Sequence, residues 1–128
     1  MTPESQRQFG KMRVDQMLRH LNWAMEMTLG RYPVGRQAVP LPRPIFKILV
    51  LLMPWPKGKA QTARELVRGG TYDFESERTR LKALVNEAGS KSPNGVWLEH
   101  PAFGPMNGHE SSRLQYRHVD HHLRQFGV

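Results

Sequence analysis

Apolar side chains in this chain recur at the spacing of an α-helix, and no stretch alternates strictly between apolar and polar residues as a half-buried strand does. The clearest case is the segment from about 13 to 29. Its apolar stripe consists of Val14, Met17, Leu18, Leu21 and Met25, with Thr28 at its end. The pattern predicts an amphipathic helix that stops at Gly30, and it indicates an all-α fold.

Two short helices are predicted in the middle of the chain. The first covers about 45–53, an apolar run that is closed by Pro54. The run is far shorter than the roughly 20 residues that span a membrane, so we expect a buried helix and no membrane contact. Thr62 and Glu65 have the spacing of a capping box, which predicts a second short helix over about 62–67.

A longer helix is predicted over about 74–88, with Asp73 as its cap and Gly89 as its stop. Its expected buried stripe consists of Phe74, Leu81, Leu84 and Val85. Its charged side chains are expected to face solvent, and they are Glu75, Glu77, Arg78, Arg80 and Lys82.

The last predicted helix begins at Asn107, which forms a capping box with Glu110, and it runs to about Gln125. Loops rich in proline and glycine, over about 33–44 and 93–105, separate the longer helices. The elements together predict an antiparallel four-helix bundle with short extra helices in its connections. The length of 128 residues fits a single domain over 1–128.

The composition limits the classes of function. The chain has no cysteine, which excludes disulfides, thiolate metal sites and a cysteine nucleophile. The N-terminal segment is polar and lacks the apolar centre of a signal peptide, so we expect a cytoplasmic protein. The net charge is +8, but the basic residues are dispersed along the chain, which favours a solvated basic surface over a nucleic-acid interface.

Three histidines crowd the last predicted helix. His118 and His122 lie four residues apart, about 40° from each other around the helix, so both imidazoles project over one turn. One helix offers two nitrogen ligands to a metal at this spacing. His121 and Gln125 are expected beside them as residues that contact the ligands. An apolar stripe of Tyr116, Val119, Leu123 and Phe126 adjoins the histidines, which places them at the edge of the buried face.

His20 is the candidate for a third ligand, because it lies beside the apolar stripe of the first helix. Two ligands from one helix leave a metal under-coordinated, and a neighbouring helix is the natural source of another. Two other interpretations remain open. A single histidine such as His20 also fits a hydrogen-bonded residue at the edge of the core, and the pair also fits a solvated face or an internal hydrogen bond.

Several stretches of the chain resemble a known family. The segment from Tyr116 to Gln125 carries a His-x-x-His-His-x-x-Gln pattern, and His20 lies in Gln16-Met-Leu-Arg-His20. Further stretches are Trp-Pro-Lys-Gly-Lys at 55–59 and His-Pro-Ala-Phe-Gly-Pro at 100–105. Together they resemble the DinB/YfiT-like superfamily of metal-binding four-helix bundles, and more narrowly its uncharacterised DUF1569 branch. In such a protein we expect an additional segment before the first metal-binding helix.

The resemblance implies one divalent ion, such as Zn²⁺ or Ni²⁺, held by His20, His118 and His122. Characterised relatives are transferases and isomerases that use low-molecular-weight thiols, and others are described as metal-dependent hydrolases. The resemblance assigns no reaction to this branch. An enzyme acting on a small molecule and a non-catalytic metal-binding or interaction protein therefore remain alternatives, with a basic nucleic-acid-binding protein as the third.

Further site residues are expected if the protein is an enzyme. A thiol such as glutathione or bacillithiol would come from a cofactor, and Arg117 and Arg124 are candidates to bind its carboxylates. His100 lies in a loop that could fold over the pocket, where it would act as acid, base or fourth ligand, or else simply hold backbone groups. A homodimer is also expected, with Trp97 or the 45–53 helix as its apolar interface.

Overall fold

The structure of the chain is a computed structural model that describes residues 1–29, 41–55, 70–90 and 106–128. Within these ranges it contains four α-helices and no strand, so the all-α prediction is confirmed for them. The helices are α1 (Val14–Thr28), α2 (Arg43–Leu52), α3 (Phe74–Ser90) and α4 (Gly108–Gln125). No helix in the described ranges combines the length and the apolar character that crossing a membrane requires.

The first helix, α1, is the central element, because both α3 and α4 pack against it. Its predicted bounds are confirmed to within one residue at each end. Its apolar side chains Val14, Met17, Leu18 and Leu21 form a core cluster with Phe74 of α3 and Phe126, which follows α4. Burial extends beyond the predicted apolar face, since Asp15, His20 and Asn22 are buried as well. Each of these polar side chains forms a hydrogen bond with a residue outside α1, which offsets the cost of its burial.

The third helix begins as predicted, because Asp73 Oδ2 accepts a hydrogen bond of 2.9 Å from Ser76 N. It does not stop at Gly89 but continues to Ser90. Glycine inside a helix costs only about 1 kcal/mol relative to alanine, so it does not end a helix by itself.

Two predictions about the buried face of α3 were wrong. Val85 is 43% exposed, and Glu77, which was expected to face solvent, is only 8% exposed. Asn22 and Arg19 of α1 both donate hydrogen bonds to the Glu77 carboxylate. These bonds turn the Glu77 side of α3 toward α1, and Val85 therefore lies away from the core.

The second helix, α2, is not the buried helix that its apolar sequence predicted. Leu51 is its one buried residue. Its large apolar residues that are 39% or more exposed, counting Met53 at its end, are Ile45, Ile48, Leu49, Leu52 and Met53. The helix contacts α4, and two arginines of α4 hold its C-terminal end. Arg113 Nε donates to Leu51 O at 2.9 Å, and Arg117 donates to the carbonyls of Leu51 and Met53.

The fourth helix has the predicted capping box. Asn107 Oδ1 accepts from Glu110 N at 2.8 Å, and Glu110 Oε1 accepts from Asn107 N at 3.1 Å. The expected position of the histidines relative to the core was wrong, however. The buried residues of α4 are Gly108, Ser111, Leu114, His122 and Gln125, so the histidine stripe itself faces the interior. Tyr116, expected in the apolar stripe, is 72% exposed.

Residues before α1 run beside the end of α4, where Gln8 N donates a hydrogen bond of 2.6 Å to Gln125 O. This contact brings the start of the chain to the histidine-bearing turns. Several predicted features lie outside the described residues, and they are Gly30, the short helix over 62–67, the 93–105 loop, Trp97 and His100.

Candidate metal centre

Three imidazole rings from α1 and α4 meet between the two helices. His20 comes from α1, and His118 and His122 come from successive turns of α4. Their ring centroids are 4.9, 4.9 and 4.8 Å apart, so they form an almost equilateral triangle. The rings are inclined to each other by 64–85°, which directs their edges rather than their faces toward the common centre.

The nitrogens at the centre have the spacing of metal ligands. His20 Nε2 lies 2.9 Å from His118 Nε2, and His122 Nε2 lies 3.2 Å from the same atom. One nitrogen of each ring falls within 4.8 Å of the other two. A tetrahedral ion with Zn–N bonds of about 2.0–2.1 Å holds its nitrogens about 3.3 Å apart, and the two distances from His118 Nε2 differ from this value by a few tenths of an ångström.

The same three nitrogens are poorly satisfied by a single proton. A proton on His118 Nε2 can form a well-aligned hydrogen bond with only one of the two neighbouring nitrogens. A cation at the centre accepts the lone pairs of all three nitrogens at once. All three donors are imidazole nitrogens, which bind a metal in their neutral form, and this set suits Zn²⁺, Ni²⁺ and similar ions. The donor chemistry therefore agrees with a divalent metal.

The site is largely withdrawn from solvent. His20 is 2% exposed and His122 is 8% exposed, while His118 is intermediate. Burial lowers the pKa of His122 to about 3; the neighbouring His20 adds to this effect, and the bond with Gln125 opposes it. His122 is consequently neutral at physiological pH, which is the form that binds a metal.

Gln125 fixes which nitrogen of His122 faces the centre. Its Nε2 donates to Phe9 O at 2.9 Å, and its Oε1 lies 2.8 Å from His122 Nδ1. Because a backbone carbonyl only accepts, the amide nitrogen must face Phe9, and Oε1 is left to face the imidazole. His122 therefore carries its proton on Nδ1, which leaves the lone pair of Nε2 directed at His20 and His118.

Aromatic side chains from two other elements cover the neighbouring part of α4. The Trp55 ring lies 6.1 Å from the His118 ring and 5.3 Å from the His121 ring. Phe9, from the segment before α1, also packs against His121, with the two ring centroids 5.4 Å apart. Arg117 lies over Trp55 at 5.7 Å, so the residue that holds the end of α2 also holds this indole.

A comparison with known protein families agrees with the resemblance drawn from the motifs. The profile of the family described as "Protein of unknown function (DUF1569)" matches residues 2–127. The chain belongs to the DUF1569 family. No curated protein and no solved structure matches it.

The structure of this DUF1569 protein brings together the three histidines that the sequence singled out as metal ligands. Gln125 lies where a partner of a ligand was expected, bonded to His122. His121 packs between Phe9 and Trp55 beside the site, and burial lowers its pKa against the opposing effect of Asp120.

The remaining candidates lie away from the centre or outside the described residues. Arg117 donates two hydrogen bonds to backbone carbonyls at the end of α2. Arg124 donates to Asp120 Oδ2 at 2.9 Å, and its side chain is 70% exposed. His100 belongs to the part of the DUF1569 chain that the structure does not describe.

The contribution of the N-terminal segment was not predicted from the sequence. The tripeptide Gln-Phe-Gly occurs twice, at 8–10 and at 125–127, and the two copies pair with each other in the structure. This repetition is the signal that would have drawn attention to the pairing. Trp55, which the sequence marked as part of the family resemblance, lies against two imidazoles and a guanidinium.

Proposed function

We propose that this DUF1569 protein binds one divalent metal ion through Nε2 of His20, His118 and His122. The observation that carries the proposal is the triangle of imidazoles with centroids 4.8–4.9 Å apart, of which His20 and His122 are buried and His118 is half-buried. His20 is 98 residues from His118 in the chain, so no local helix pattern explains their convergence. Burying three imidazoles with facing nitrogens costs free energy that coordination of a cation would offset.

We propose further that the metal serves a reaction on a small molecule. A divalent ion held by three neutral imidazoles keeps an open position, where it lowers the pKa of a bound water or thiol. In this chain Trp55 and Phe9 would limit the access of water, and His20 and His122 would hold the ion from the buried side. Because the chain has no cysteine, a thiol substrate would come from a low-molecular-weight cofactor.

The net charge of +8 supports an anionic thiol as that cofactor. Arg117 and Arg124 are the proposed contacts for its carboxylates. Arg124 is the better one to test, because Arg117 already donates to two backbone carbonyls at the end of α2. Replacing Arg124 with alanine should raise the KM for the thiol and leave the metal content unchanged.

Metal analysis of the purified protein tests the proposal directly. We expect about one equivalent of Zn²⁺ or Ni²⁺ per chain, lost in His118→Ala and retained in His109→Ala, which alters an exposed residue of the same helix. Metal-free protein that takes up neither ion would overturn the proposal. If metal binds but thiols neither change the absorption of a Co²⁺- or Ni²⁺-loaded sample nor react, the thiol-dependent reaction is ruled out, and a metal-dependent hydrolase and a non-catalytic metal-binding protein are the alternatives.

The wider assignment is also a proposal. We propose that the four helices form an antiparallel bundle of the DinB/YfiT-like kind, in one cytoplasmic domain. The packing of α1 against α3 and α4, and of α2 against α4, supports this arrangement. The exposed apolar residues of α2 support a homodimer that uses this helix, since such patches mark interfaces. Sedimentation of Ile48→Glu against the unaltered chain tests the dimer.

A further inference from the structure

The two Gln-Phe-Gly tripeptides, 8–10 and 125–127, form a paired structure that we call the clasp. Gln8 N donates to Gln125 O at 2.6 Å, and Gln125 Nε2 donates to Phe9 O at 2.9 Å. The pairing is close to reciprocal, because the side-chain nitrogen of each glutamine lies against the glycine of the other copy. Gly10 and Gly127 also share a left-handed backbone, with φ of +80° and +75°.

We infer that the clasp is a positioning device for the metal site, and that it sets the orientation and tautomer of His122 through Gln125. The inference rests on the proposed function, because it concerns the affinity of the same site for its metal. The effect of the clasp passes through one amide group, which is held by Phe9 O on one side and faces His122 Nδ1 on the other.

The position of the Gln125 amide is determined by two contacts and by its burial. Phe9 O requires a donor, so it selects the amide nitrogen. Gly10 leaves room for that nitrogen, because a Cβ at Gly10 would lie closer than 3.0 Å to it. Gln125 is 3% exposed, so the amide cannot swing into solvent to avoid such a collision. A side chain at position 10 would therefore displace the amide from His122.

The consequence for metal binding follows from the tautomer. An imidazole that coordinates through Nε2 must carry its proton on Nδ1, and an acceptor at Nδ1 both fixes that tautomer and makes Nε2 a stronger ligand. Loss of such a partner costs about 10–100-fold in metal affinity. The Phe9 ring against His121 adds a second contact between the N-terminal copy and this turn of α4.

Zinc affinity of Gly10→Ala, measured by competition with a chromophoric chelator, tests the inference. We expect a decrease of about tenfold, similar to the lower end of that range. Two controls match the change. Gly70→Ala also places alanine at a positive φ, of +115°, but the atoms nearest to its Cβ would be those of Tyr72, at 3.5 Å and beyond. Gly89→Ala adds a Cβ that meets nothing within 4 Å. Both controls should keep the affinity of the unaltered chain.

A double variant separates the clasp from general destabilisation. Gln125→Ala should lower the affinity by about 10–100-fold. Adding Gly10→Ala to it should lower the affinity no further, because the methyl group then meets no amide. Equal zinc affinity in Gly10→Ala and the unaltered chain, or additive losses in the double variant, would overturn the inference.

A spectroscopic readout keeps the inference testable without metal and without the Gly10 variant. Nitrogen NMR of the metal-free, unaltered protein should show His122 protonated on Nδ1, and Gln125→Ala should show a mixture of tautomers. A signal for His122 protonated on Nε2 in the unaltered protein would overturn the inference. If the unaltered chain binds no metal but its His122 has the Nδ1 proton, the proposed function fails while the role of the clasp in orienting His122 stands.

Discussion

The Asn22 side chain of α1 donates two hydrogen bonds to Glu77 of α3, one to a carboxylate oxygen at 2.6 Å and one to the backbone carbonyl at 3.0 Å. Arg19 donates to the other carboxylate oxygen at 3.3 Å. Asn22 is fully buried and Glu77 is 8% exposed, so water does not readily replace these bonds. The pair ties together the two helices that form most of the core.

Replacing Glu77 with alanine should therefore destabilise the fold. The change leaves a buried Asn22 donor without the carboxylate and removes a partner of Arg19, which together should cost about 2–3 kcal/mol in the free energy of unfolding. Urea denaturation of the metal-free protein measures this value. Glu75→Ala is the matched control, because it removes an exposed carboxylate two residues earlier in the same helix. It should change the free energy of unfolding by less than about 0.5 kcal/mol. A Glu77 variant as stable as the control would contradict the structural role of this network.

Acid should destabilise the metal-free protein through His122. Its pKa is lowered to about 3 in the fold, from an ordinary value of 6.5, so between these values the unfolded chain binds more protons than the folded one. Stability therefore falls as the pH is lowered from about 6.5 toward 3, with a slope of up to about 1.4 kcal/mol per pH unit for one proton.

Urea denaturation at a series of pH values checks this slope. In His122→Phe, the part of the slope that depends on position 122 should be absent. In His109→Ala, which alters an exposed histidine, the slope should be kept. A His122→Phe protein with an unchanged pH dependence would mean that the buried imidazole is not the group that titrates.

The sequence predicted those features that depend on local spacing. The ends of α1, the cap of α4 at Asn107 and the common face of His118 and His122 all follow from residues within a few positions of each other. The burial of Glu77 could not be predicted in this way, because its partner Asn22 lies 55 residues away on another helix. An apolar stripe indicates which apolar side chains are buried, but it does not indicate which polar side chains are buried with a hydrogen-bond partner.

The candidate site also combines a feature that depends on local spacing with one that depends on a long-range contact. Helical spacing alone proposed the pair on α4. His20 was a candidate because it lies beside the apolar stripe of the first helix, but spacing could not select it as a ligand, since its contact with His118 spans 98 residues. The resemblance to a family implied the full set of three. For α2 the error was the reverse of that for Glu77, because residues predicted to be buried are exposed. Its apolar residues predicted burial, but a helix held by α4 at its C-terminal end keeps much of its apolar surface exposed.

A bound metal should stabilise the fold, and the gain in the free energy of unfolding grows with the logarithm of its affinity. A ligand that binds only the folded state at a free concentration of 1,000 times its Kd adds about 4 kcal/mol. For a chain of this size, such a gain should raise the Tm by roughly 10 °C or more. Calorimetry of the chelator-treated protein with and without Zn²⁺ measures the shift, which should vanish in His20→Ala. A shift of the same size in His20→Ala would place the binding site elsewhere.

Trp55 should report metal binding by its fluorescence, because its ring lies 6.1 Å from the ring of the proposed ligand His118. A paramagnetic ion such as Ni²⁺ or Cu²⁺ quenches an indole at short range, so titration should lower the emission until about one equivalent has been added. In Trp55→Phe most of this quenching should be lost. Trp23→Phe is the control, because Trp23 packs instead against Ala24, Met27 and Tyr72, and it should keep the quenching. Because Arg117 holds the indole in place, Arg117→Ala should reduce the quenching at saturation, and full quenching in that variant would show that the end of α2 is positioned by other contacts.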